Sequence, residues 1–74
     1  MPKLNPEKPQ TIIYKLRQLG FEGPFGGGRH LVMRHTESGI KIPVPFHSGR
    51  DIPIGTLRAI LRQAGITVEA WLKL

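Results

Sequence analysis

The sequence predicts a small two-layer α+β sandwich, in the order α-β-β-β-α with a short C-terminal helix. Three observations carry that expectation. Residues 9–19 and 54–64 repeat apolar side chains at helical spacing, and a glycine closes each segment. Between them, residues 30–35 and 40–44 alternate in the manner of half-buried strands. The connecting runs Gly26-Gly27-Gly28 and Thr36-Glu37-Ser38-Gly39 have turn composition and suit antiparallel neighbours.

Taken in order, residues 1–8 are polar with two prolines and read as a flexible N-terminal arm, leaving 9–74 as a single domain. Pro9 fits the first helical position, where its missing N–H costs nothing. Ile12, Ile13, Leu16 and Leu19 form the apolar stripe, and Gly20 stops the helix. Phe21 to Phe25 is a weak strand interrupted by Gly23 and Pro24. The stronger strand His30 to His35 places Leu31 and Met33 on one face, with His30, Val32 and Arg34 on the other. Ile40, Ile42 and Val44 alternate with Lys41 and Pro43, and Pro43 assigns this strand to an edge.

After a loop from Pro45 to Pro53, Leu57, Ile60, Leu61 and Ala64 set a second helical stripe, closed by Gly65. Thr67 is positioned to cap a final turn, with Trp71, Leu72 and Leu74 available to pack. Both main helices would cover one face of the sheet and leave the other open. The double-stranded-RNA-binding domain shares that topology.

Composition narrows the function classes. The chain has 74 residues, 39% of them hydrophobic and 22% charged, which suits one globular domain with a small core. Eleven Lys and Arg against five Asp and Glu leave a net charge of +6, favouring polyanionic partners such as nucleic acid or an acidic protein surface. The zero cysteine count removes disulfides, thiolate metal sites and cysteine nucleophiles, and fits a reducing cytoplasm. No apolar run approaches the length of about 18 residues that a membrane span needs. A small basic binding module or a minimal nuclease remains.

The first candidate residue is His30, directly after the glycine run and Arg29. Imidazole is the side chain best suited to moving a proton near neutral pH, and the flexible backbone beside it lets a phosphate approach. An ordinary exposed strand histidine would carry the same signature. The glycine run lacks the pattern and following helix of a nucleotide-binding loop. His35 and His47 are weaker candidates, without the helical histidine pair that would support a metal site. A second feature is the basic set Arg29, Arg34 and Lys41 on or beside the sheet, with Arg50, Arg58 and Arg62 near the second helix, which can neutralise phosphates or serve as a solvated surface.

Together these residues resemble the HicA (YcfA-like) toxin family of toxin–antitoxin modules. The resemblance runs from about Pro9 to Leu74. It rests on Leu19-Gly20-Phe21, on Gly28-Arg29-His30-Leu31-Val32-Met33-Arg34-His35, on Ile42-Pro43-Val44, and on His47-Ser48-Gly49-Arg50-Asp51-Ile52-Pro53. Its most specific part is the run Gly55-Thr56-Leu57-Arg58-Ala59-Ile60-Leu61-Arg62-Gln63-Ala64-Gly65-Ile66. Arg29, Met33 and Lys8 depart from the pattern, standing where Ser or Asn, Tyr, and a capping Ser are usual.

The resemblance implies a double-stranded-RNA-binding-like fold and a ribosome-independent endoribonuclease that cleaves mRNA. It also implies neutralisation by a HicB-type antitoxin, and it maps the catalytic histidine onto His30. The mechanism expected is metal-independent: His30 acts as general base on a ribose 2′-OH, with Arg29, Arg34 or Lys41 stabilising the phosphorane. His30 itself, His35 and Tyr14 remain open as the general acid. A non-catalytic RNA-binding module using the same basic face is the competing reading.

Overall fold

Pro9 opens α1 (Pro9–Gln18), in which Ile12 and Leu16 are fully buried and Lys15 and Arg17 sit in the last turn, beside the partial negative charge of the helix end. A computed structural model of the chain describes residues 3–46 and 49–74. In it, Gly20 adopts φ +93° and turns the chain directly into β1 (Phe21–Gly27). β2 (His30–His35) and β3 (Lys41–Pro45) complete an antiparallel sheet of order β1-β2-β3. Then come α2 (Ile54–Ala64) and α3 (Val68–Leu72), the latter capped by Thr67 Oγ1, which accepts from the Ala70 N–H at 3.1 Å. This is the expected α-β-β-β-α sandwich.

Phe21, Met33, Ile42 and Val44 from the sheet meet Ile12 and Leu16 of α1, Leu57, Ile60 and Leu61 of α2, and Trp71 of α3 in one core. Both main helices therefore lie on one face of the sheet. Of the three apolar residues near the C-terminus, Trp71 is buried, whereas Leu72 and Leu74 are exposed. A single helical turn directs only one of them at the core. Ile40, expected to alternate with Ile42 and Val44, instead ends the turn before β3 and is exposed.

β1 is longer than the sequence suggests, because Gly26 and Gly27 join the ladder opposite Leu31 and His30. The connection shrinks to Gly28-Arg29, with Gly28 at φ +65° in the first central position, the sign a II′ hairpin turn requires. On the far side of the sheet, the Phe46 N–H donates to Arg29 O and the His35 N–H to Ile40 O. Even-numbered backbone groups of this segment thus turn inward, leaving Lys41, Pro43 and Pro45 turned outward along β3. Two of those three residues have no N–H. The free edge of β3 is a poor template for another strand.

Part of the stretch 1–8, expected as a flexible arm, packs on the domain in the described residues. Leu4 is 2% exposed within the core, and Glu7 and Ile52 exchange backbone hydrogen bonds of 3.3 and 2.7 Å. Glu7 Oε2 accepts from Trp71 Nε1 at 2.7 Å, while Oε1 lies 3.1 Å from Lys15 Nζ. That ammonium in turn stands 5.1 Å from the centroid of the Trp71 ring. Polar composition conceals this docking, since one leucine and one carboxylate hold the segment against partners distant in sequence.

Leu4→Ala should lower the unfolding free energy by about 2–3 kcal/mol, the cost of truncating a buried leucine. Urea denaturation measures it, and a midpoint equal to the parent's would show the arm undocked.

Candidate active site

The β1–β2 ladder falls into two segments that are out of phase with each other. Phe21 pairs with His35 and Glu22 with Arg34, whereas Phe25 pairs with Val32, Gly26 with Leu31 and Gly27 with His30. Between the two sets β1 advances three residues and β2 two, so one extra residue is accommodated as a bulge. Because side chains alternate between faces, a one-residue slip inverts everything beyond it. Phe21 points into the core, and Phe25, four residues on, emerges on the open face.

Gly23 makes the bulge possible. Its φ is +122°, and a Cβ there would lie 3.0 Å from Val32 O and 3.2 Å from Met33 Sδ. Arg17 reaches from the end of α1 to hold it, donating to Gly23 O from Nε at 2.9 Å and from Nη2 at 2.6 Å. A planar guanidinium can make that forked contact and a lysine cannot.

The open face then has three rows, read from the register. At the hairpin end stand Gly27, His30 and Pro45; next come Phe25, Val32 and Pro43; last come Glu22, Arg34 and Lys41. His30 is exposed in the first row, and with Arg29, Pro43 and Pro45 it borders a depression of about 320 Å³. The His30 ring makes no hydrogen bond among the described residues. Arg29 is held beside it by the Gly28 turn.

Arg34 and Lys41 share the face but not the position. Two rows separate them from His30, about 13 Å at the usual strand rise. A phosphate at His30 is within reach of Arg29, whereas Arg34 and Lys41 suit a phosphate farther along the strand. Arg34 also lies 3.8 Å from Glu22, an exposed pair with little energetic weight. Arg58 and Arg62 are exposed on α2, whose buried stripe packs on the covered face. The structure therefore divides the basic set between two surfaces instead of gathering it.

Two alternative acids are displaced. His35 lies on the covered face, edge-on to Phe21 at 4.9 Å, and its Nδ1 accepts from the Glu37 and Ser38 N–H groups at 3.2 Å each. That nitrogen organises the β2–β3 turn. Tyr14 is 66% exposed on α1, the helix layer across the sheet from His30. His47 lies outside the described residues. Among the described residues, no group of three or more His, Asp or Glu side chains is placed to hold a metal ion.

Residues 9–66 match the model of a protein family described as "HicA toxin of bacterial toxin-antitoxin". The chain belongs to the HicA toxin family. No curated protein sequence matches it significantly. Membership makes it the toxin side of a toxin–antitoxin pair and implies an antitoxin partner. The matched segment contains α1, the whole sheet and α2, and it ends at Ile66. Glu7 and Trp71, which bond to each other, stand just outside its two ends. Among the described residues no helix is long and apolar enough to cross a membrane.

Sequence reasoning leaves Phe25 ambiguous between packing and stacking, and it gives Arg17 no role. The signal available was the Gly23-Pro24 interruption of a strand, which marks a bulge but not its register. Gly23→Ala should destabilise the protein by about 1–3 kcal/mol through backbone strain and crowding. Gly27→Ala, where a Cβ would meet nothing within 4 Å, should change the urea midpoint little. Equal midpoints for the two variants would contradict this account of the bulge.

Proposed function

We propose that this HicA toxin is an endoribonuclease that cleaves mRNA without a metal ion, with His30 as the proton-transfer group. What supports the reading is the placement of an exposed imidazole and the adjacent Arg29 on an uncovered sheet face of a basic protein, within the family segment. Here the imidazole takes the proton of a ribose 2′-OH. The 2′-oxygen attacks the adjacent phosphorus, the bond to the 5′-oxygen of the next nucleotide breaks, and a 2′,3′-cyclic phosphate remains. The departing oxygen takes a proton from the imidazolium of His30, which needs no second catalytic acid. Arg29 stabilises the charge gathering on the phosphorane.

In this reading Arg34 and Lys41 hold the RNA backbone away from the reacting phosphate, and Arg58 and Arg62 belong to a separate basic surface. The partner is an acidic antitoxin of the HicB type, and the pair acts in the cytoplasm. The chemistry uses the substrate's own hydroxyl as nucleophile, which is compatible with a domain this small.

His30→Ala should slow cleavage of single-stranded RNA in EDTA by about 100-fold or more, the contribution typical of a positioned acid–base. Gel analysis of product accumulation, with the 2′,3′-cyclic end identified by mass, checks it. Cleavage by the variant at the parent's rate would sink the mechanism. RNA binding with no cleavage by the parent would favour a non-catalytic binding module.

A further inference from the structure

We infer that the open face of the sheet is a track for single-stranded RNA on which one base, beside the nucleotide held at His30, stacks on Phe25. The inference rests on the RNA-cleaving reading for its ligand and adds the subsite that positions that ligand.

Phe25 is 48% exposed, and with Val32, Arg34 and Lys41 it borders a depression of about 360 Å³. Its exposure is built into the fold. Without the bulge, Phe25 would share the face of Phe21 and point toward the helices. The positive φ of Gly23 and the fork from Arg17 hold the alternative in which it points outward. Bulges that redirect a side chain cluster next to functional sites.

The order of the rows matches a polynucleotide. A proton-transfer group comes first, an aromatic platform beside the low apolar residues Val32 and Pro43 second, and the cations Arg34 and Lys41 third. Successive rows are about 6.7 Å apart, twice the rise of about 3.4 Å between stacked bases. Nucleotides laid along these rows must be unstacked from one another, which a single strand permits and a duplex resists. Lys41 has no carboxylate within 4 Å among the described residues, so its charge is available to a phosphate. Glu22, beside Arg34, is the one repulsive group on the track.

A protein occupant is less suited. The β3 edge bordering this face turns Pro43 and Pro45 outward and cannot donate from those positions to an added strand. The cationic row favours a polyanion, and base–aromatic stacking tolerates any sequence.

The test uses the full chain carrying His30→Ala, so that bound RNA is not consumed. Affinities for a mixed-sequence single-stranded oligoribonucleotide and for its blunt duplex are measured by fluorescence anisotropy across a salt series. The single strand should bind more tightly than the duplex. Phe25→Leu should weaken single-strand binding about tenfold, and Phe25→Tyr should restore it. Lys41→Gln should weaken binding and lower the log–log salt slope by about 0.7 to 1. Glu22→Gln should tighten binding severalfold, a change that no loss of folding can imitate.

Equal binding by Phe25→Leu and its His30→Ala parent, or equal affinity for duplex and single strand, overturns the track. So does a Phe25→Leu protein that keeps its RNA affinity but no longer binds the antitoxin, which would assign the face to protein. If the protein with His30 intact fails to cleave while the Phe25 dependence of binding holds, the nuclease reading falls and the track stands. If neither RNA form binds at all, both fall.

Discussion

The one-residue bulge at Gly23, whose carbonyl Arg17 holds, decides which face of this small sheet does what. A three-stranded sheet under two helices can bury only one of its faces, and alternation along each strand assigns side chains to them. One residue inserted at Gly23 resets that assignment halfway along β1. Before it, Phe21 belongs to the core with Met33, Ile42 and Val44; after it, Phe25 belongs to the surface with His30 and Arg34. The tight approach of Val32 O excludes a Cβ at Gly23, and the guanidinium fork occupies the carbonyl that the bulge turns out of the ladder.

That assignment separates the basic residues by place. Arg29 is tied to His30 through a two-residue turn, while Arg34 and Lys41 lie two rows away on the same face. Arg58 and Arg62 occupy the outside of α2. Five of the eleven cations behind the net charge of +6 thus fall on two surfaces, one of them bearing the candidate chemistry. The proline-blunted edge of β3 disfavours strand addition on that side of the sheet, a standing hazard for an exposed edge.

The core is completed from outside the family segment. Leu4 enters it from before Pro9, and Trp71 from beyond Ile66. Glu7 joins the two ends by accepting from Trp71 Nε1 and pairing with Lys15, both carboxylate oxygens being satisfied. A partly buried carboxylate is costly unless it is bonded in this way. For a domain with no disulfide, docking both termini on the helix layer adds apolar burial that 58 family positions alone would lack.

Periodicity alone determined most of the architecture. The helical stripes of α1 and α2, the alternation in β2 and β3, the Gly65 and Thr67 caps and the edge placement signalled by Pro43 are local properties, and each survives in the structure because tertiary packing agrees with it. His30 was legible as a candidate for the same reason, from its position after a glycine turn at the start of a strand. The docking of Leu4 and Glu7, the role of His35 in its own turn, and the separation of Arg34 and Lys41 from His30 were not legible, since each depends on which distant residues meet. Phe25 shows the boundary most clearly. Its identity and its interrupted strand are in the sequence, but its face depends on a one-residue register shift, and register is an agreement between two strands that neither strand encodes by itself.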